Sequence, residues 1–165
     1  MAENSIIVRQ GQAQRVQLEK LAVAALFPGH LVELTSADKV QKHSTAGGSV
    51  VPSMFAIEDE NQGNGIDDAF AAADRVVTWI PQKGDWVLAV LADGQSVSIG
   101  DKLESAGTGA LQKHVADTYS SAQQATITSN QIVGIAMEAL DLSDSSGAED
   151  SGALDYDQRL WIMIV

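Results

Sequence analysis

Between residues 55 and 111 the chain alternates short apolar runs with Gly-Asp turns, and this block organises the rest. Residues 75–80, RVVTWI, are β-branched and aromatic and stop at Pro81; residues 86–91, WVLAVL, form a second apolar run that stops at Asp93-Gly94. Both read as strands bounded by turn residues. Val97 and Ile99 then alternate with Ser96 and Ser98 before Gly100-Asp101 turns the chain into Leu103, the two-residue period of a half-buried ribbon. The block predicts the core of a mainly β domain.

The flanking sequence extends the same pattern. Val16 and Leu18 alternate with Gln17 and Glu19, and the apolar run that follows breaks at Pro28-Gly29 before Leu31. Strand, turn, strand is the better reading, with a helix over 14–26 as the other. Residues 38–43 read as an edge strand, where Lys39 and Lys42 discourage edge-to-edge association. Val50, Val51, Met54, Phe55 and Ile57 form the next apolar set, interrupted by Pro52, and an acidic, Gly-rich loop follows. Residues 66–73, IDDAFAAA, predict one or two helical turns with Asp67 and Asp68 at the positive end of the helix dipole. Residues 112–131 suit a short helix or a surface loop, 131–142 a strand, and 141–157 an acidic Ser/Gly loop. The final segment, QRLWIMIV, is strongly apolar and calls for burial in a sheet.

At the other end, Ser5, Ile6, Ile7 and Val8, followed by Arg9, make a β-prone apolar run between polar flanks. Two readings are open. The run is either an arm (residues 1–15) that docks on a partner's exposed sheet edge, with a single domain at 16–165, or an ordinary first strand of the chain's own sheet. Trp79, Trp86 and Trp161 exceed the expected needs of so small a core and are candidates for an oligomer interface.

Composition narrows the function classes. The formal net charge of −12 argues against nucleic acid or anionic lipid as a partner, because phosphate contacts need clustered Lys and Arg. The absence of Cys excludes disulfides, thiolate nucleophiles and zinc-thiolate sites. No apolar run approaches the roughly 18 residues of a membrane span, and no signal-peptide pattern opens the sequence, so a soluble, cytoplasmically made protein is expected.

Motifs for chemistry do not assemble. An EF-hand loop started at Asp59 puts Asn64 where Gly is needed and Phe70 at the closing Glu position; one started at Asp141 puts Ser146 where Gly is needed. His30, His43 and His114 lack metal-binding spacing, and there is no nucleophile elbow, P-loop or dinucleotide fingerprint. No catalytic residue, cofactor or metal is assigned. Lys102, in the GDKL turn after VSIG, sits where a lipoyl or biotinyl carrier domain would carry its lysine, but Gly100 and Leu103 do not fit that pattern.

The ordered series GNGIDDAFAAADRV, PQKGD, GQSVSIGDKLES and GTGAL, then IVGIAMEALDLS and RLWIMIV, resembles the head decoration proteins of tailed bacteriophages, also called capsid cement or stabilisation proteins. The resemblance runs from about Val16 onward, with residues 112–130 and 143–157 standing out as insertions relative to the smallest members. It implies a small β-barrel or β-tulip-like fold and a non-enzymatic homotrimer over local threefold positions of the capsid exterior. It also implies an N-terminal arm that adds a strand to the major capsid protein. A soluble β-barrel binding or carrier module without catalytic activity is the alternative.

Overall fold

The computed structural model describes residues 7–10, 16–116, 131–145 and 158–165. Their thirteen strands are β1 (Val8–Gln10), β2 (Val16–Leu21), β3 (Leu31–Leu34), β4 (Val40–Lys42), β5 (Met54–Ala56), β6 (Arg75–Ile80), β7 (Trp86–Val90), β8 (Ser96–Val97), β9 (Lys102–Ser105), β10 (Leu111–Lys113), β11 (Ile132–Ala136), β12 (Leu140–Asp141) and β13 (Arg159–Ile164). A six-stranded sheet runs β1-β7-β13-β11-β9-β10, a five-stranded sheet runs β2-β6-β5-β3-β4, and β12 pairs with β8. All of these ladders are antiparallel. The domain is mainly β, as the sequence predicts.

It is not a closed barrel. Each large sheet curls until a lone parallel bridge touches its far side: Leu91 meets Leu111 beyond the end of β7, and Ala22 meets Val40 beyond the end of β2. Neither bridge extends into a ladder, so the expected small barrel is replaced by two curled, open sheets.

Alternation along the central strands feeds two cores. In β5, Phe55 joins the main core with Trp79, Leu88, Leu103 and Ile162, whereas Met54 and Ala56 face a smaller core with Leu26, Val40, Phe70 and Val76. Leu31 and Val32 of β3 divide in the same way. Successive side chains point to opposite faces, so strands buried on both faces read as unbroken apolar runs.

The predicted helix at 66–73 does not form. Phe70 instead bridges Leu26, exchanging backbone hydrogen bonds of 2.9 and 3.1 Å, and lies buried in the smaller core. On either side of it, Asp68 and Asp74 take up backbone N–H groups with their carboxylates, the local competition that draws Asp out of helices into turns. A 3-10 turn at Glu60–Gln62 is the helical element that lies wholly within the described residues. The start of the 112–131 segment also differs from expectation, because Gln112 and Lys113 belong to β10.

Four turns that end on Asp share a clasp. In four turns the first residue's N–H donates to the carboxylate of an Asp three positions on: Gly65 to Asp68, Ala71 to Asp74, Gln82 to Asp85 and Ser98 to Asp101, at 2.7–2.8 Å. Each Asp N–H returns a bond to the first residue's carbonyl. In three of them the third position is left-handed: Gly84 (φ 91°), Gly100 (φ 90°) and, unusually, Ala73 (φ 70°). A Cβ there costs energy that glycine avoids. Ala73→Gly is therefore expected to raise unfolding stability by about 0.5–1 kcal/mol, while Gly100→Ala lowers it by about 1 kcal/mol, in urea denaturation.

One buried cation ties the two sheets together. The Arg159 side chain on β13 has no exposed surface; it donates from Nη1 to Asp67 Oδ1 (2.7 Å), from Nη2 to the Ile66 carbonyl (2.5 Å) and from Nε to the Pro28 carbonyl (3.3 Å). Asp67, expected at a helix start, is instead the partner of this guanidinium. Gly29 beside it packs so closely that a Cβ would lie 2.9 Å from the Leu88 carbonyl.

Candidate functional site

Of the proposed arm, Ser5 and Ile6 lie outside the described residues. Ile7 is fully buried in the main core; its N–H donates to Glu58 Oε2 (3.1 Å) and its carbonyl accepts from the Leu88 N–H (2.8 Å). Val8 pairs with Val87 and Gln10 with Trp86, with Arg9 bulged between them. This is the geometry of the second sequence reading, a first strand in the chain's own sheet. A domain boundary at residue 15 therefore does not separate Ile7 from the body. β1 and β13 share a sheet with β7 between them, rather than pairing directly. The outer side of β1 carries no further strand among the described residues. Nothing local to residues 5–9 encodes Glu58 or β7, so the sequence left both readings open.

The tryptophans divide. Trp79 (1% exposed) and Trp161 (4%) lie inside the main core, which removes them as surface anchors, and Trp86 at the start of β7 is half-buried against the same core. Two curled sheets packed together need more aromatic volume than one thin layer, and that is where the excess goes. Of the three candidates, Trp86 alone retains a share of surface.

The buried polar groups are tied into the fold. His30 Nδ1 accepts the Phe27 N–H at 2.9 Å. Burial, aided by the charges of Lys42 and Arg159, pushes its pKa down to about 3, so the ring is neutral. His43 Nδ1 lies 2.8 Å from Ser105 Oγ, a serine–histidine contact, but Ser105 is fully buried and its oxygen also accepts the Gly107 N–H (3.1 Å). That leaves the hydroxyl no approach for a substrate. His114 Nδ1 lies 2.6 Å from Glu104 Oε2, and Gln112 donates to Glu104 Oε1 at 2.9 Å, at the wall of a polar recess of about 280 Å³ that also includes Gly47 and Gln131. Lys102 is the first residue of β9, opposite Ile135, one step inside the ladder from the turn tip that a carrier lysine would occupy.

Among the described residues, no three His, Asp or Glu side chains are grouped to hold a metal ion, and no helix is long and apolar enough to cross a membrane. What the geometry defines is a mainly β domain of two large sheets and a two-stranded ribbon, with strand edges left open among the described residues. A scan against protein-family models finds no match, and neither does a search of curated proteins.

Two outcomes follow from these placements. Ile7→Ala is expected to destabilise the fold by about 2–4 kcal/mol in chemical denaturation, the cost of a buried cavity, where a free arm would leave stability unchanged. His30 governs acid sensitivity. Its folded pKa lies below the unfolded value near 6.5, so stability is fully present above that value and falls as pH drops toward 3, by about 1.4 kcal/mol per pH unit at most. His30→Asn, which keeps an acceptor for the Phe27 N–H, is expected to flatten urea-midpoint curves between pH 6.5 and 5.

Proposed function

We propose that this chain is a non-catalytic structural protein that decorates and stabilises a tailed-bacteriophage head, binding the major capsid protein on the capsid exterior as a homotrimer. The observation that carries the reading is the ordered motif series described above. Its members fall on parts that build the body. GNGIDDAFAAADRV holds two Asp clasps, the Phe70 bridge and the partner of Arg159; PQKGD and SIGDKLES hold the other two clasps; RLWIMIV is the central strand β13. A resemblance resting on scaffold residues speaks for a shared architecture, and an acidic body with open sheet edges suits docking to a large assembly. The alternative, a soluble binding or carrier module, draws no support from Lys102, which lies in a ladder rather than at a hairpin tip.

Mixing the purified protein with expanded, undecorated tailed-phage heads tests the reading. Saturable co-sedimentation, one trimer per local threefold position, and heads that withstand higher temperature are expected. A protein that stays monomeric in light scattering and leaves the heads bare at micromolar concentration overturns it.

A further inference from the structure

We infer that the groove between β3 and residues 49–53 receives an extended segment of a protein partner that pairs with the backbone of Leu34 and presents a basic side chain to Glu33. The inference stands apart from the capsid reading, since it concerns a segment this chain accepts.

The backbone register creates the opening. Toward β4, the ladder runs from Val32 opposite Lys42 to Leu34 opposite Val40, and the backbone groups of Leu31 and Thr35 face that side: the His43 N–H donates to the Leu31 carbonyl and the Thr35 N–H to the Lys39 carbonyl. By alternation, Val32 and Leu34 direct theirs toward β5. That ladder stops at Val32 opposite Met54. Continued in register, it would set Leu34 against Pro52, which has no N–H to give. Among the described residues no hydrogen bond reaches the Leu34 N–H or carbonyl. One donor and one acceptor are thus left side by side on a strand edge, the pair that an added strand engages.

The side chains around that edge set what would fit. The groove encloses about 260 Å³, with Val50 and Met54 among its walls. Leu34 (47% exposed) and Val51 (68%) leave an apolar rim. Glu33 supplies the polar contact. Its Oε1 receives Gln41 Nε2 and Ser44 Oγ, both at 2.7 Å, whereas Oε2 stands 3.8 Å from His43 Nε2, beyond hydrogen-bonding range, because that nitrogen turns to the Ser49 carbonyl at 3.2 Å. Burial opposes charge on Glu33, but the bonds from Gln41 and Ser44 and the neighbouring His43 outweigh it and hold its carboxyl below the usual range. A part-exposed carboxylate held ionised by these groups and by a backbone bond from Ser44, on a body of net charge −12, favours a cationic partner. An extended segment alternating apolar and basic residues meets all three features: edge, apolar rim and the Glu33 charge.

A titration of ¹⁵N-labelled protein with a capped octapeptide alternating Lys and Val, against a twin with Glu in place of Lys, tests the inference. The basic peptide is expected to shift the Leu34 and Val51 amide signals saturably, and the acidic twin to leave them in place. Glu33→Gln should weaken binding about fivefold or more, while Glu60→Gln, the same charge change in the exposed 3-10 turn, should alter it less than about twofold. Absence of a saturable Leu34 shift at millimolar peptide overturns the inference. So does equal weakening by both charge variants, which marks diffuse attraction, or a Leu34 shift on concentrating the protein alone, which makes the occupant a second copy.

Discussion

The fold depends on a guanidinium held where water cannot reach it. Arg159 lies on the central strand of one sheet, and its three donations go to chain segments that lead into the other: the Pro28 carbonyl ahead of β3, and the Ile66 carbonyl and Asp67 ahead of β6. A buried charge is costly unless every donor direction is used, and here carbonyls and a carboxylate occupy the fork. Because Asp67 remains 61% exposed, the pair is not sealed on both sides, so its negative partner keeps much of its hydration. The arrangement fixes how the sheets face one another, and Gly29 allows the close approach it requires.

Around that fixed point the connections are kept short and rigid by carboxylates. The four Asp clasps satisfy backbone N–H groups that would otherwise point to solvent at each reversal, and they account for part of the acidic excess without invoking a ligand. Lys113 hydrogen-bonds Asp101, and with the Ser98 N–H it holds that carboxyl below the usual range, which keeps the clasp charged well into the acid region. Turn chemistry and net charge are here the same feature seen at two scales.

Much of this was legible in the sequence. Residues 75–80 are β6 with the predicted bounds, and the WVLAVL run and the terminal RLWIMIV became the strands expected, whereas of the alternating ribbon at 96–99 only Ser96–Val97 is strand and Ile99 lies 70% exposed in the turn. Local pattern suffices where apolar residues sit between strong turn residues. It failed where long-range partners decide. IDDAFAAA has helix-forming residues, but Leu26 and Arg159, about 40 residues before it and 90 after it, hold it extended. Counting tryptophans cannot say which face of a strand meets a second sheet, so Trp79 and Trp161 looked like surplus when they were core. For Ile7 the choice between arm and first strand stayed open for the same reason: the acceptor of its N–H, Glu58, lies 51 residues away.

The strand edges combine unfinished ladders with features that limit edge-to-edge stacking. β4, at the end of the five-stranded sheet, carries Lys42 and is crossed by the Ala22 bridge, so little of its ladder is offered. The interruption at Pro52 exposes one residue of β3, too short a template for sheet-to-sheet stacking. A second copy approaching that edge would bring another body of net charge −12 toward Glu33, and that repulsion acts before any backbone bond can form. A cationic segment meets the opposite field at the same place. Edge length therefore limits how much strand can add there, and charge limits which strands can approach.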